Sequence, residues 1–304
     1  MTSKETAQLA TGAQSAAEVI TTIPVGAKPT GVAVHPVTLQ VFVVNAGDGT
    51  VSVIDSSTFR VIATIPVGLS PQFVAVDPDR TTVGVTNFGD GTVSVIDTGT
   101  LTVTKTIPAG NRPYGIAAAN NLFWVTNPDS GTVSKIKPKI GQVIGTFPVG
   151  AHPLGVAVHP DTLQVYVANE GGGTVSVIDS WTDAVTAIPV GSSPQGVAVD
   201  KTSVDTVSVT NFSDSSVSVI APGCNMVTKT ISAGGRPSAI AAYNRRIYVT
   251  NADAGTVTVI DPTISAVIAT IPVGPKPFGV AVGSGSQIYV ANQGNNTVSV
   301  VQGP

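Results

Sequence analysis

The stretch VYVANEGGGTVSVIDSWTDAVTAIPVGSSPQGVAVD, residues 165–200, decides the fold. It holds three landmarks: an apolar run ending in Asn169, the run from Thr174 to Asp179, and an Ile-Pro-Val-Gly run that begins at Ile188. The last recurs, sometimes altered, at Ile23, Ile65, Ile107, Phe147, Ile231 and Ile271. The Asn recurs as Asn45, Asn87, Asn127, Asn211, Asn251 and Asn292. Copies are about 41 residues apart, and a fixed period of that size marks a repeat architecture.

Within a copy the segments are short, rich in β-branched residues, and bounded by Gly, Pro, Asn or Asp, which is how strands and turns read. In the first copy the expected strands A to D span residues 31–34, 41–44, 51–55 and 60–65. Connections of hairpin length make neighbours antiparallel. Four such strands repeated every 40 or so residues form a propeller blade. The expected fold is therefore all-β: a seven-bladed β-propeller with four antiparallel strands per blade. An extra strand at 19–23 precedes the first copy, and the last copy stops after strand C near Val301. The N-terminal strand should thus complete the last blade and close the ring. The expected organisation is a flexible tail over residues 1–17 and one propeller domain over 18–304.

A longer period lies above the first. Asn45 and Asn169, Asn87 and Asn211, and Asn127 and Asn251 are each 124 residues apart. Ser-Pro-Gln recurs at Ser70 and Ser193, and Arg-Pro at Arg112 and Arg236. This reads as a duplicated three-blade unit plus one blade. The irregular turn from Ala221 to Cys224 fits a natural rather than a regularised sequence.

Composition narrows the function. Charged residues are 11% of the chain and the net charge is −3, so no broad basic field exists to hold a nucleic acid. Cys224 is the one cysteine, which excludes an intrachain disulfide. No run of apolar residues is long enough for a membrane span. Residues 1–18 lack the apolar region of a signal peptide, so the expectation is cytoplasmic as the chain stands, and export if the native N-terminus is longer. The chain is expected to be a monomer without a cofactor.

The run Val-Tyr-Val-Ala-Asn at 165–169, then Gly-x-Gly-Thr-Val-Ser-Val-Ile-Asp, then Ile-Pro-Val-Gly-x-x-Pro, resembles the YVTN family of propeller repeats. Tyr248 to Asn251 is a verbatim copy of the naming motif. The resemblance spans about residues 19–301 and implies the propeller fold. The family includes surface-layer and exported proteins, and related propellers include lyases and dehydrogenase subunits. Fold likeness alone does not transfer an activity.

Repetition itself separates scaffold from site. A residue present in every blade serves the blade, as the strand B Asn does by bonding its own B–C turn. The acidic residues that follow it, Asp48, Asp90, Asp129, Glu170, Asp214 and Asp253, come one per blade. Calcium needs several oxygens converging within about 2.5 Å, so ordinary turn residues are expected. Function should lie where blades differ, and that is beside the Pro of the D–A loop at the central channel. Before this Pro stand Lys28, Ser70, Arg112, His152, Ser193, Arg236 and Lys276; after it stand Thr30, Gln72, Tyr114, Leu154, Gln195, Ser238 and Phe278.

The expected ligand residues are Lys28, Gln72, Arg112, Gln195, Arg236, Lys276 and Phe278. Cations there would focus positive potential, and Arg grips carboxylate or phosphate. Pairing of these cations with the acidic turns is the plainer alternative. His152 and Tyr114 are the candidate proton carriers. His35 and His159 belong to turns at the opposite face. Three His and one Cys make no transition-metal site. Lys135 replaces a Val of the other six blades, either as a snorkelling lysine or as part of a docking patch with Lys137 and Lys139. The first expectation is a binding propeller for a small anion or a protein partner. The alternatives are a metal-independent lyase, isomerase or cyclase acting on a carboxylate-bearing metabolite in the same cleft, and a structural cell-surface propeller.

Overall fold

The strands of a blade sort by how many of their faces are covered. In the computed structural model, which describes residues 17–77, 81–200 and 205–303, the first blade has strands Pro29–Val34, Gln40–Asn45, Thr50–Asp55 and Arg60–Pro66. These are the expected strands, longer by up to two residues. Strands B and C are buried along almost their whole length, while strand D is exposed along most of it. Side chains alternate between faces. Val41 and Val43 pack with Tyr289 and Val298 of the last blade, whereas Phe42 and Val44 pack with Val74 and Val83 of the second. A sheet that is apolar on both faces needs a neighbour on each. Among the described residues seven apolar clusters form, each shared by two adjacent blades. Each fully buried Val or Ile contributes roughly 1.5–3 kcal/mol.

The described strands form seven four-stranded antiparallel sheets. Six follow chain order. In the seventh, the N-terminal strand Glu18–Pro24 pairs with Thr297–Gln302, beside Gln287–Asn292 and Pro277–Val282. The ring is closed as the sequence led us to expect. Ile23, 4% exposed, sits in the cluster that joins the last blade to the first. Of the expected tail, residues 1–16 lie outside the described residues.

The Asn ending strand B is buried in all seven blades. For Asn87, Nδ2 donates to Thr92 Oγ1 and Ser94 Oγ, both at 2.9 Å. The same two bonds recur in each copy, as at Asn45 and Asn169. In blades 2 and 5 the Oδ1 also accepts from the D–A loop, from Gly68 N and Gly191 N at 3.1 Å. So the Asn holds its own turn, as expected, and there it holds the incoming loop as well.

At the opposite end of their blades, His35 and His159 each accept two turn N–H groups at Nδ1. The Lys135 ammonium lies 5.1 Å from the Trp124 ring centre, 3.5 Å from the Ser180 carbonyl and 3.9 Å from Asp183 Oδ1, with the side chain as a whole mostly covered. That is the geometry of a snorkelling lysine.

Two outcomes test this account. Deleting residues 1–25 removes Ile23 and the last ladder, and should lower the melting temperature by at least ~10 °C, since one kcal/mol shifts a domain of this size by roughly 2–4 °C; an unchanged melt would refute closure. Asn87→Ala should cost about 2–4 kcal/mol in urea unfolding, because it strands two hydroxyls and a loop N–H.

Candidate site at the channel mouth

The D–A loop forces an unusual backbone on the residue before its Pro. Lys28, Ser70, Arg112, His152, Ser193 and Lys276 all lie in the left-handed region, at φ 51°, 47°, 54°, 53°, 52° and 51°. Arg236 escapes because Gly234 and Gly235 take the positive φ instead. In six blades the Pro then opens strand A opposite the buried Asn, and a break in register precedes the next pair. That irregularity carries the residue after the Pro at the channel mouth. Hydroxyls from the preceding blade fix it there: Thr86 Oγ1 donates to the Tyr114 carbonyl at 2.6 Å, Thr126 to Leu154 at 2.7 Å, and Thr250 to Phe278 at 2.8 Å.

A cavity of about 580 Å³ opens at this face. Of the expected site residues, Arg112, Tyr114, His152, Gln195 and Phe278 line it; Lys28, Gln72, Arg236 and Lys276 do not. One wall is aromatic. The Phe73 ring lies 5.1 Å from Tyr114 and 5.8 Å from Phe278, and Phe88 lies 6.4 Å from Tyr114, centre to centre.

Polar side chains line the cavity as well. Arg112 stacks on Phe88, 4.2 Å from its ring centre, and pairs with Asp129 at 3.4 Å. Arg236 stacks in the same way on Phe212, at 5.1 Å. His152 Nδ1 is 2.8 Å from Glu170 Oε2, and Glu170 Oε1 accepts from Gln195 Nε2 at 3.1 Å. His152 therefore faces a carboxylate, not cations alone. Gln72, the counterpart of Gln195, turns back to the Ser70 carbonyl at 3.2 Å.

The acidic turn residues divide by their distance from the Asn. At three residues on, Asp48, Asp90 and Asp214 accept the loop N–H of Ala27, Leu69 and Ser192, each at 2.6 Å. At two and one residues on, Asp129 and Glu170 reach the Arg112 and His152 side chains instead. The plainer alternative, cations paired with acidic turns, therefore holds for blades 3 and 4. Among the described residues no group of three or more His, Cys, Asp or Glu is placed to hold a metal ion.

Sequence reasoning missed Phe73, Phe88, Glu170 and Asp129 as site members. Phe73 stands where the other blades have Gly, or Ala239, two residues after the Pro. The rule that function lies where blades differ points to it. Glu170 and Asp129 stand one and two residues after the Asn, but Asp253 shares the spacing of Asp129 without lining the cavity, so spacing alone did not mark them.

These features define a propeller whose channel mouth carries an apolar cavity edged by ion pairs. The chain belongs to the family of the choice-of-anchor I domain, whose family model matches residues 116–299, more than half of the sequence. Residues 6–129 match the model of the YNCE-like beta-propeller. No curated protein matches the chain. Among solved structures, it is similar to selenomethionine-substituted virginiamycin B lyase from Staphylococcus aureus, with a TM-score of 0.82, 14% identity, and 95% of this chain and 100% of that one covered. A streptogramin B lyase gives 0.79 at 15% identity, covering 92% and 94%. Kuenenia stuttgartiensis hydrazine synthase gives 0.74 at 18%, covering 91% and 96%. Identities this low establish the shared fold and nothing finer.

Burial first, and the Glu170 carboxylate second, push the Tyr114 phenol well above its ordinary value. Burial, with Asp205 adding, pushes Tyr166 up to about 12. Above pH 10 the unfolded phenols lose protons that the folded ones keep, so stability falls as pH rises through that range. The melting temperature should therefore drop between pH 10 and 12, and the double variant Tyr114→Phe, Tyr166→Phe should show a shallower drop. An equal slope in both proteins would contradict this.

Proposed function

We propose that this propeller binds a small molecule in its channel mouth, one with an aromatic or other apolar body and a carboxylate. The observation that carries the reading is the cavity, whose lining combines the Phe73, Tyr114 and Phe278 cluster with Arg112, stacked on the adjoining Phe88. A volume of about 580 Å³ lies within the usual range for small-molecule sites, roughly 300–1,000 Å³. Its largely apolar lining favours an amphipathic acid over a bare inorganic anion. The concave shape favours a small molecule over a protein partner.

Arg112 is the cation the site offers. Its guanidinium is half exposed and its bond to Asp129 is long, at 3.4 Å. Such a pair is worth little on its own, so an incoming carboxylate can replace Asp129 as partner. The Phe88 ring beneath holds the guanidinium plane ready for a bidentate grip. Low charge and the repeat's likeness to exported YVTN propellers suit a binding role in or outside the cell.

Calorimetry with 4-phenylbutanoate and 4-phenylbutanamide tests the assignment. The acid should bind about tenfold tighter than the amide or better, as a charge-assisted bond allows. Arg112→Gln should erase that preference, and Phe278→Ala should weaken both probes. No binding of either, or equal binding before and after Arg112→Gln, would overturn the reading.

A further inference from the structure

We propose that the same cavity is catalytic, with His152 as a general base that removes a proton from carbon beside a carbonyl of the bound acid. The inference rests on the binding reading above and adds a reaction to it.

The argument begins with which nitrogen holds the proton. An ionised carboxylate only accepts hydrogen bonds. At 2.8 Å from Glu170 Oε2, His152 Nδ1 must therefore be the donor. In the neutral ring the lone pair then lies on Nε2, which has no hydrogen bond among the described residues. The carboxylate is itself held from its other oxygen by Gln195. A base with its far nitrogen fixed by a carboxylate is the arrangement that orients imidazole for proton transfer. All three side chains line the cavity.

The scaffold does not require this set. The positions that match His152, Glu170 and Gln195 in the other half of the duplication are Lys28, Ala46 and Gln72. There the Gln bonds its own loop instead. The blade folds without the dyad, so the dyad answers to something other than folding.

The neighbours suit an enolate. The Tyr114 phenol lines the same cavity, close enough to Glu170 to feel its charge, and burial keeps it protonated. It is a hydrogen-bond donor for a developing oxyanion and not a base. Arg112 holds the carboxylate. In the step, Nε2 takes the proton and the C–H bond breaks. Its electron pair forms a C=C bond, and the carbonyl π pair moves to oxygen. Glu170 balances the imidazolium. Return of the proton to carbon gives exchange or isomerisation; departure of a β-substituent with its bonding pair gives elimination. Neither needs an oxidant or a reductant.

The probe is 2-oxo-4-phenylbutanoate in deuterium oxide, followed by proton NMR at C3. Wild-type protein should wash out the C3 protons about 100-fold faster than His152→Asn, in line with general-base contributions. Asn is the chosen replacement because it tolerates the left-handed backbone of this position. Glu170→Gln should lower kcat by about tenfold or more with KM little changed, the mark of a positioning residue. Melting temperatures and 4-phenylbutanoate binding of each variant show that fold and cavity survive. If wild type binds 4-phenylbutanoate but exchanges no faster than His152→Asn, the base is wrong and the binding site stands. If wild type does not bind 4-phenylbutanoate, the binding reading itself fails, and the base falls with it.

Discussion

Each blade is apolar on both faces, and a sheet of that kind cannot stand alone. Val41 and Val43 look toward one neighbour while Phe42 and Val44 look toward the other. Any open end of the array would leave one such face in water. Ring closure is therefore a condition of stability. The N-terminal strand in the last blade adds a hydrogen-bonded ladder to that closure, joining the two ends of the ring in one sheet. The same packing sets the geometry of the channel. Strand A of every blade lies innermost, and the residue after each Pro falls at the channel mouth.

Closure alone would leave the mouth loose. The buried Asn tightens it by tying strand B to the start of strand C, and in blades 2 and 5 to the D–A loop. Thr hydroxyls tie strand A of the next blade at the same level. These bonds come from side chains that repeat, so they leave the variable positions free. A rigid rim with interchangeable residues is what a binding site needs, because groups held in place beforehand lose little entropy on meeting a ligand. The left-handed backbone at Arg112 and His152 fits this picture: a strained loop conformation is kept where the surrounding bonds over-determine it.

The sequence carried the fold almost completely, because seven copies of one strand pattern reinforce each other at every position. Strand ends moved by at most two residues in the first blade. The face of the site was legible for the same reason: repetition shows what varies. Which variable residues converge was not. Lys28, Arg236 and Lys276 sit at the expected loop positions yet lie outside the cavity lining. Register locates a residue on a loop but does not aim a long, flexible side chain. Phe73 was legible and overlooked, one residue beyond the positions compared. Spacing separates the Asp residues three after the Asn, which take a backbone N–H, from Asp129 and Glu170, which reach side chains; Asp253, spaced like Asp129, shows that spacing alone does not supply the partner.

The duplicated three-blade unit gives the last step. Arg112 on Phe88 and Arg236 on Phe212 are the same stack, 124 residues apart, so that pair belongs to the ancestral unit. The cavity around them is not symmetric. Tyr114 faces Ser238 as its counterpart, Phe73 faces Gly196, and His152 with Glu170 faces Lys28 with Ala46. The halves differ elsewhere too, as at Lys135 against Val259 in strand C, but the Asn and the Thr before it stay matched in blades 2, 3, 5 and 6 while the residues that border the cavity do not. The aromatic wall and the His–Glu pair are both products of that divergence, and they border the same space.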